Sequence, residues 1–221
     1  MKIVTTPMCE EILIMAGIND YVVNKEPDKE NADFAIVLSE TETVMDSLKV
    51  KLNTFSQIQE SVLKTVEILN PQLFNQKLSS NLSKSISLMS PWADSQQKKI
   101  LRENNRKIKV KVYSQFLKDI IEDMGFEMVA ENPDFVVFPD YLENQINNQI
   151  KNNEEISHSN AQRGLSKNEE NNEENFSKND NTDLVFVNYI KVPSHGDVPI
   201  NPLERATMRY NLLEGELCMK P

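Results

Sequence analysis

Lys107-Ile-Lys-Val-Lys-Val-Tyr-Ser-Gln-Phe-Leu-Lys-Asp-Ile-Ile-Glu-Asp-Met-Gly-Phe-Glu-Met-Val129, followed after a short turn by Asp134-Phe-Val-Val-Phe138, decides the fold. Ile108, Val110 and Val112 alternate with lysines, the period of a strand. Ser114 then caps a helix whose Phe116, Leu117, Ile120, Ile121 and Met124 fall on one stripe, and Gly125 stops it. Glu127 to Val129 is a short strand. Asp134 to Phe138 is apolar on both faces, the mark of a strand covered on both sides in a parallel sheet.

The start of the chain has the same order. Ile3-Val4 is a strand, Thr5-Thr6-Pro7 turns it, and Glu10 to Ala16 is a helix with Ile12, Leu13, Met15 and Ala16 inward and Gly17 as its stop. Tyr21 to Val23 is a strand, Lys25 to Asn31 a charged turn, and Ala32 to Leu38 a buried strand. Ala16-Gly17-Ile18 aligns with Met124-Gly125-Phe126, and Asp33-Phe34 with Asp134-Phe135; Gly125 to Asp134 is seven residues shorter than Gly17 to Asp33. Duplication and the chance likeness of any two strand-helix-strand units both explain this. Either way the fold class is α/β, with Rossmann-like units and mainly parallel pairing, because crossover helices join parallel neighbours.

Between the two units, Leu48 to Leu52 alternates as a half-buried strand near a sheet edge. Ser56 with Gln59 forms a capping box for a helix through Ile58, Val62, Val66 and Leu69, closed by Pro71. Gln72 to Ser90 reads as irregular or weakly helical, and Ser90-Pro91 caps a helix through Trp92, Ala93, Ile100 and Leu101. Asn144 to Asp183 holds twelve asparagines and only five large apolar side chains, too few to offset the entropy of ordering it, so a disordered insertion is expected. The fold resumes with a central strand at Leu184 to Asn188. A loop bracketed by Pro193 and Pro199 follows, then a helix capped by Asn201, with Pro202 at its first position and Glu204 completing the box. The expected organisation is therefore a first lobe over 1–70, a helical connector over 71–106, a second unit over 107–143, the insertion over 144–183, and 184–221 completing the second lobe.

The formal net charge of −10 argues against a nucleic-acid partner, which needs a basic surface. No run approaches the roughly 18 apolar residues of a membrane span. The opening Met-Lys-Ile-Val-Thr-Thr-Pro does not read as a signal peptide, so a cytoplasmic protein is expected. Cys9 and Cys218 lie at opposite ends of the chain and read as buried, inert thiols.

Candidate chemistry gathers in three places. Thr5, Thr6, Met8 and Cys9 follow the first strand, where parallel α/β folds place ligands, and the helix amides there suit an anion. A Cys9 nucleophile would draw thiolate character from the helix N-terminus, although no histidine lies near it in sequence. Ser39 and Glu40, like Asp140 and Tyr141, sit at the exits of the apolar strands, where acidic groups suit a divalent ion or simply a polar turn. One usable histidine and two distant cysteines make a zinc site a poor fit. In the last helix Leu203, Ala206, Tyr210 and Leu213 form a core stripe, and Arg205, Met208, Arg209 and Leu212 a neighbouring one. With His195, the only histidine outside the Asn-rich segment, Arg205, Arg209 and Tyr210 are the expected partner-binding residues. Ion pairs between these arginines and the chain's acids are the competing reading.

Lys-Ile-Val-Thr-Thr-Pro-Met-Cys-Glu-Glu-Ile-Leu at the start, Glu-Asn-Pro-Asp-Phe-Val-Val-Phe-Pro-Asp-Tyr in the centre and Val-Pro-Ser-His-Gly-Asp-Val-Pro-Ile-Asn-Pro-Leu-Glu-Arg-Ala-Thr-Met-Arg-Tyr at the end together resemble the methanogenesis marker protein 5 family of methane-producing archaea. That resemblance implies an accessory role in assembly, modification or activation of methyl-coenzyme M reductase through protein contacts, and assigns no catalytic residue or cofactor. The strand, helix and Ala-Asp-Phe-Ala-Ile-Val-Leu pattern also looks like one lobe of cobalamin- and siderophore-binding proteins, and the segment from Lys107 like the other. It lacks their export signal and single long connecting helix. This second likeness implies a ligand between lobes, such as a nickel tetrapyrrole.

Overall fold

The computed structural model describes residues 1–150 except 73, 75 and 89, and 187–218 except 195 and 197. Its first unit runs β1 (Ile3–Thr5), α1 (Glu10–Met15), β2 (Val22–Val23), β3 (Phe34–Leu38) and β4 (Ser47–Val50). Three helices follow, α2 (Phe55–Leu69), α3 (Gln76–Ser87) and α4 (Ser95–Asn105). The second unit is β5 (Lys109–Val112), α5 (Gln115–Met124), β6 (Glu127–Met128) and β7 (Phe135–Pro139). A helix α6 over 143–150, strand β8 (Asn188–Val192) and helix α7 (Pro202–Cys218) complete it.

The two units form two four-stranded, wholly parallel sheets, ordered β2-β1-β3-β4 and β6-β5-β7-β8. The register repeats as well: Ile3 faces Phe34 as Val110 faces Phe135. Each unit also has the same acidic clasp. Asp33 Oδ2 accepts from the Lys2 amide at 2.6 Å, and Asp134 Oδ2 from the Lys109 amide at 2.7 Å. The returning Asp33 and Asp134 amides donate to the Lys2 and Lys109 carbonyls at 2.8 and 2.9 Å. The Asp-Phe pair noted in both units is therefore a strand-start device that fixes the register of the central strands. Both units are Rossmann-like lobes of matching topology.

One apolar core runs through both lobes, built from Ile12, Leu13 and Ile36 on one side, Leu117, Ile120 and Val137 on the other, and α2 and α7 between them. Gly17 and Gly125 end their helices at φ 72° and 84°. At Gly125 a Cβ would lie 2.8 Å from Arg102 Cβ, so only glycine lets α4 approach α5 so closely.

Several boundaries differ from the sequence reading. The α2 cap is Thr54, in a reciprocal box with Gln57, rather than Ser56 with Gln59. Starting two residues earlier brings Phe55 into the helix and into the core. Ser90 to Ala93 forms a turn, and Asp94 caps α4 by accepting from the amides of Gln96 and Gln97, both at 2.9 Å. Among the described residues the last strand is Asn188–Val192, at the sheet edge beside β7 and not central; 184–186 of the strand expected at Leu184 to Asn188 lie outside the described residues. β3 and β7 do lie inside their sheets, and β4 is an edge as expected. The expected insertion starts too early. Residues 143–150 are helical, and Ile146, 2% exposed, packs with Val136 and Phe138 on the outer face of the second sheet. The remainder of that expectation, including His158, lies outside the described residues. α7 does not complete the second lobe alone, because Tyr210 packs on Phe55, with ring centroids 5.1 Å apart, and on Trp92 at 5.7 Å.

Candidate functional site

In a parallel α/β sheet the loops after the strands carry ligand chemistry, since the strand ends are held rigidly and the loops are free to vary. Here both sheets turn those ends toward one cleft of about 330 Å³. The first lobe contributes Met8 after β1, Leu38 and Glu40 from the end of β3, and Leu52 and Asn53 after β4. The second contributes Ser114, Gln115 and Phe116 at the start of α5, Tyr141 after β7 and Ser194 after β8. Arg205 and Arg209 of α7 line it too. Of the strand-exit residues expected from the sequence, Met8, Glu40 and Tyr141 share this cleft with the arginine pair, which the sequence suggested as a separate site.

The arginines are not an exposed docking face. They are only 3% and 5% exposed, and backbone carbonyls hold them. Arg205 Nη1 donates to Pro199 O at 3.0 Å and Ile200 O at 2.8 Å, and lies 3.8 Å from Met8 Sδ. Arg209 donates from Nε to Pro193 O and from Nη2 to Ser194 O, both at 3.1 Å, and its guanidinium sits 4.6 Å from the centre of the Phe116 ring. Neither forms a salt bridge among the described residues, so the competing reading of ion pairs with the chain's acids is not met there either. Burial, and then the charge of Arg205, pull Arg209 down to about 10, which still leaves it charged at neutral pH. Burial lowers Arg205 as well.

Nε and Nη2 of Arg205 and Nη1 of Arg209 have no hydrogen bond to a described residue. Thr6 Oγ1 is the one fully buried side-chain nitrogen or oxygen without a partner among the described residues. The three guanidinium nitrogens are therefore not fully buried, and both residues line the cleft. The acid whose field reaches Arg209 is Asp140, and one of its oxygens already accepts from the Ser194 hydroxyl and the Tyr141 amide.

The other expected site residues have different roles. Thr5 is buried and its Oγ1 donates to Ile36 O at 2.8 Å, tying β1 to β3. Thr6 and Cys9 are buried too and do not line the cleft. Burial pushes the Cys9 thiol up to about 11, against the thiolate character that a helix N-terminus would favour. Ser39 Oγ donates to Glu40 Oε1 at 2.7 Å; of this group Glu40 alone lines the cleft. Tyr210 is fully buried and donates to Asp123 Oδ2 at 2.5 Å, so it belongs to the core and not to a partner surface. His195 lies outside the described residues. Cys218 is exposed rather than buried, and both cysteines are free.

Asn53, Ser114, Gln115 and Phe116 were not singled out from the sequence, although their positions just past β4 and β5 carry the same strand-exit signal as Glu40. Asn53 and Gln115 are held by Asp119 of α5, whose carboxylate accepts from Asn53 Nδ2 at 3.0 Å, Gln57 Nε2 at 2.9 Å and Gln115 Nε2 at 3.2 Å. Burial acts to raise Asp119, but these three bonds and Lys51 outweigh it and hold the carboxyl below its ordinary range. The bonds to Asn53 and Gln57 join the two lobes directly beside the cleft.

No family model and no curated protein matches the chain by sequence. Among solved structures, the Mn-bound mutant of a periplasmic metal binding protein from Candidatus Liberibacter asiaticus matches with a TM-score of 0.56 and 9% identity, over 98% of this chain and 100% of that one. The laminin-binding protein of Streptococcus pyogenes matches at 0.50 and 10%, over 98% and 99%. Nitrogenase Cp1 matches at a TM-score of only 0.40 and 12% identity over 62% of this chain, which spans 31% of that one. At these identities the first two show the shared two-lobed α/β fold, and the ligand chemistry has to be read from this chain's own cleft. Among the described residues no helix is long and apolar enough to cross a membrane.

Proposed function

We propose that the protein is a two-lobed binding module that holds a small molecule between its lobes. The observation that carries this reading is the cleft itself, formed where the carboxyl ends of both parallel sheets meet and lined from both lobes and from α7. Its volume lies at the small end of the range for ligand pockets, about 300–1,000 Å³, which favours a compact organic molecule over a tetrapyrrole macrocycle. Binding at a lobe junction also gives the ligand a way to signal, because closing it in changes how the lobes sit for a protein partner.

We further propose that this module works in the cytoplasm as an accessory of the methyl-coenzyme M reductase system. The three segments that resemble the methanogenesis marker protein 5 family support that setting, and two free cysteines fit a reducing compartment. The test is mass spectrometry under non-denaturing conditions on the full chain isolated from the cells that make it. The expected result is a small-molecule mass excess that disappears on unfolding and is missing from a Ser194→Trp variant, in which the indole fills the cleft. An excess unchanged in that variant would place the ligand elsewhere and overturn the reading.

A further inference from the structure

The cleft combines features that a neutral or cationic ligand would not need. A guanidinium removed from water loses hydration that only an opposite charge or a full set of acceptors restores. Arg205 and Arg209 are both buried in a chain with 34 acidic residues, yet neither has a carboxylate partner among the described residues. Loop carbonyls take up Nη1 of Arg205 and Nε and Nη2 of Arg209 and leave Arg205 Nε and Nη2 and Arg209 Nη1 without a protein acceptor among the described residues, in side chains that line the cleft. These donors are fixed in advance: the arginines are one helical turn apart on the 17-residue α7, clamped by carbonyls, with Arg209 laid on Phe116. Little side-chain entropy remains to be lost on binding. Met8, Leu38, Leu52 and Phe116 supply apolar surface beside them.

Resting on the reading of the cleft as a ligand site, we propose that its ligand is an organic oxyanion, a small carboxylate or phosphate ester. The charge sits on the free edges of Arg205 and Arg209 and the apolar body lies against Phe116 and Leu52. Guanidinium forks match both kinds of oxyanion, and the field of two adjacent arginines repels cations. Glu40, exposed at the rim, opposes the anion and sets an upper limit on its affinity.

The test titrates the full chain with benzoate, phenyl phosphate and neutral benzamide, following backbone amide resonances. At least one of the two anions should shift the amides of Met8, Gln115 and Ser194, and whichever binds more tightly identifies the oxyanion. Benzamide should bind about tenfold more weakly or less, the scale of one charge-assisted contact. Glu40→Gln should tighten the anion about threefold, as expected for removing one exposed charge. Arg209→Lys should weaken it about tenfold. Glu40 is exposed, so its variant carries the test even if Arg209→Lys does not fold. Benzamide binding in the cleft as tightly as either anion would overturn the oxyanion proposal while leaving the cleft a ligand site. Failure of both anions to shift any cleft resonance at 20-fold excess over the protein would also overturn it, and shifts by every probe confined to residues outside the cleft would overturn both readings.

Discussion

Cys9 and the two arginines show how far burial alone decides chemistry. Cys9 stands before a helix, where a thiolate would be favoured, yet it is fully buried and its thiol rises from 9.0 to about 11. Because the folded value is the higher one, this group contributes stability that is fully present below pH 9 and is lost as pH rises through about 11. Alkylation with iodoacetamide at pH 8 should therefore modify Cys218 and spare Cys9 until the chain is unfolded. Equal labelling of both in the folded protein would show that Cys9 is accessible. The arginines were hard to place for a related reason. Their spacing on α7 correctly separates them from the core stripe of Leu203, Ala206, Tyr210 and Leu213, and a stripe beside the core ordinarily faces water. No periodicity reveals that the chain around Pro193 and Pro199 folds back over that side and covers them with its carbonyls.

At the scale of elements, the strand-helix-strand units were legible because several signals agree in each. In the second unit alternation, the Ser114 cap and the Gly125 stop all fall where the structure has them. Reading failed where two residues satisfied one pattern. Thr54 with Gln57 and Ser56 with Gln59 both fit the capping-box pattern, and the burial of Phe55 decides between them. It failed again at β8, where the most apolar residues suggested a central strand, but the paired stretch is Asn188–Val192, with Tyr189 and Lys191 outward at an edge. Composition also concealed α6, because two isoleucines one helical turn apart, Ile146 and Ile150, in an asparagine-rich stretch are enough to dock a helix on an apolar sheet face. Ile146→Ala should lower unfolding free energy by about 2–4 kcal/mol, read from denaturant melts. Deletion from Asn144 onward should destabilise to a similar degree, whereas deletion starting at 151 spares Ile146. An unchanged midpoint for Ile146→Ala would mean that α6 contributes nothing to the fold.

In the whole molecule, two lobes of matching topology are joined by a shared core and by the Asp119 cluster, and α7 packs across both. Asp119→Ala leaves the amides of Asn53 and Gln57 without their acceptor and should cost about 1–3 kcal/mol. Its folded value is depressed, so its contribution is present above its ordinary value of 3.8 and is lost as pH falls through the lower folded value. The stability difference between wild type and Asp119→Ala should therefore shrink on acidification from pH 6 toward pH 3, and a constant difference would remove this carboxylate from the account. The lobes were visible in the sequence as a repeat, and part of the cleft, Met8, Glu40 and Tyr141, as strand-exit residues. That the lobes face each other so that both sets of exits meet over Arg205 and Arg209 is a property of three-dimensional packing that no local pattern carries. The central claim, one ligand held by both lobes, is tested most directly by titrating the full chain with a deproteinised small-molecule extract of its source cells and recording backbone amide shifts. The account predicts perturbations that cluster on Met8, Asn53, Gln115, Tyr141 and Ser194, residues of both lobes around the cleft. Perturbations confined to one lobe, or none at these residues, would contradict it.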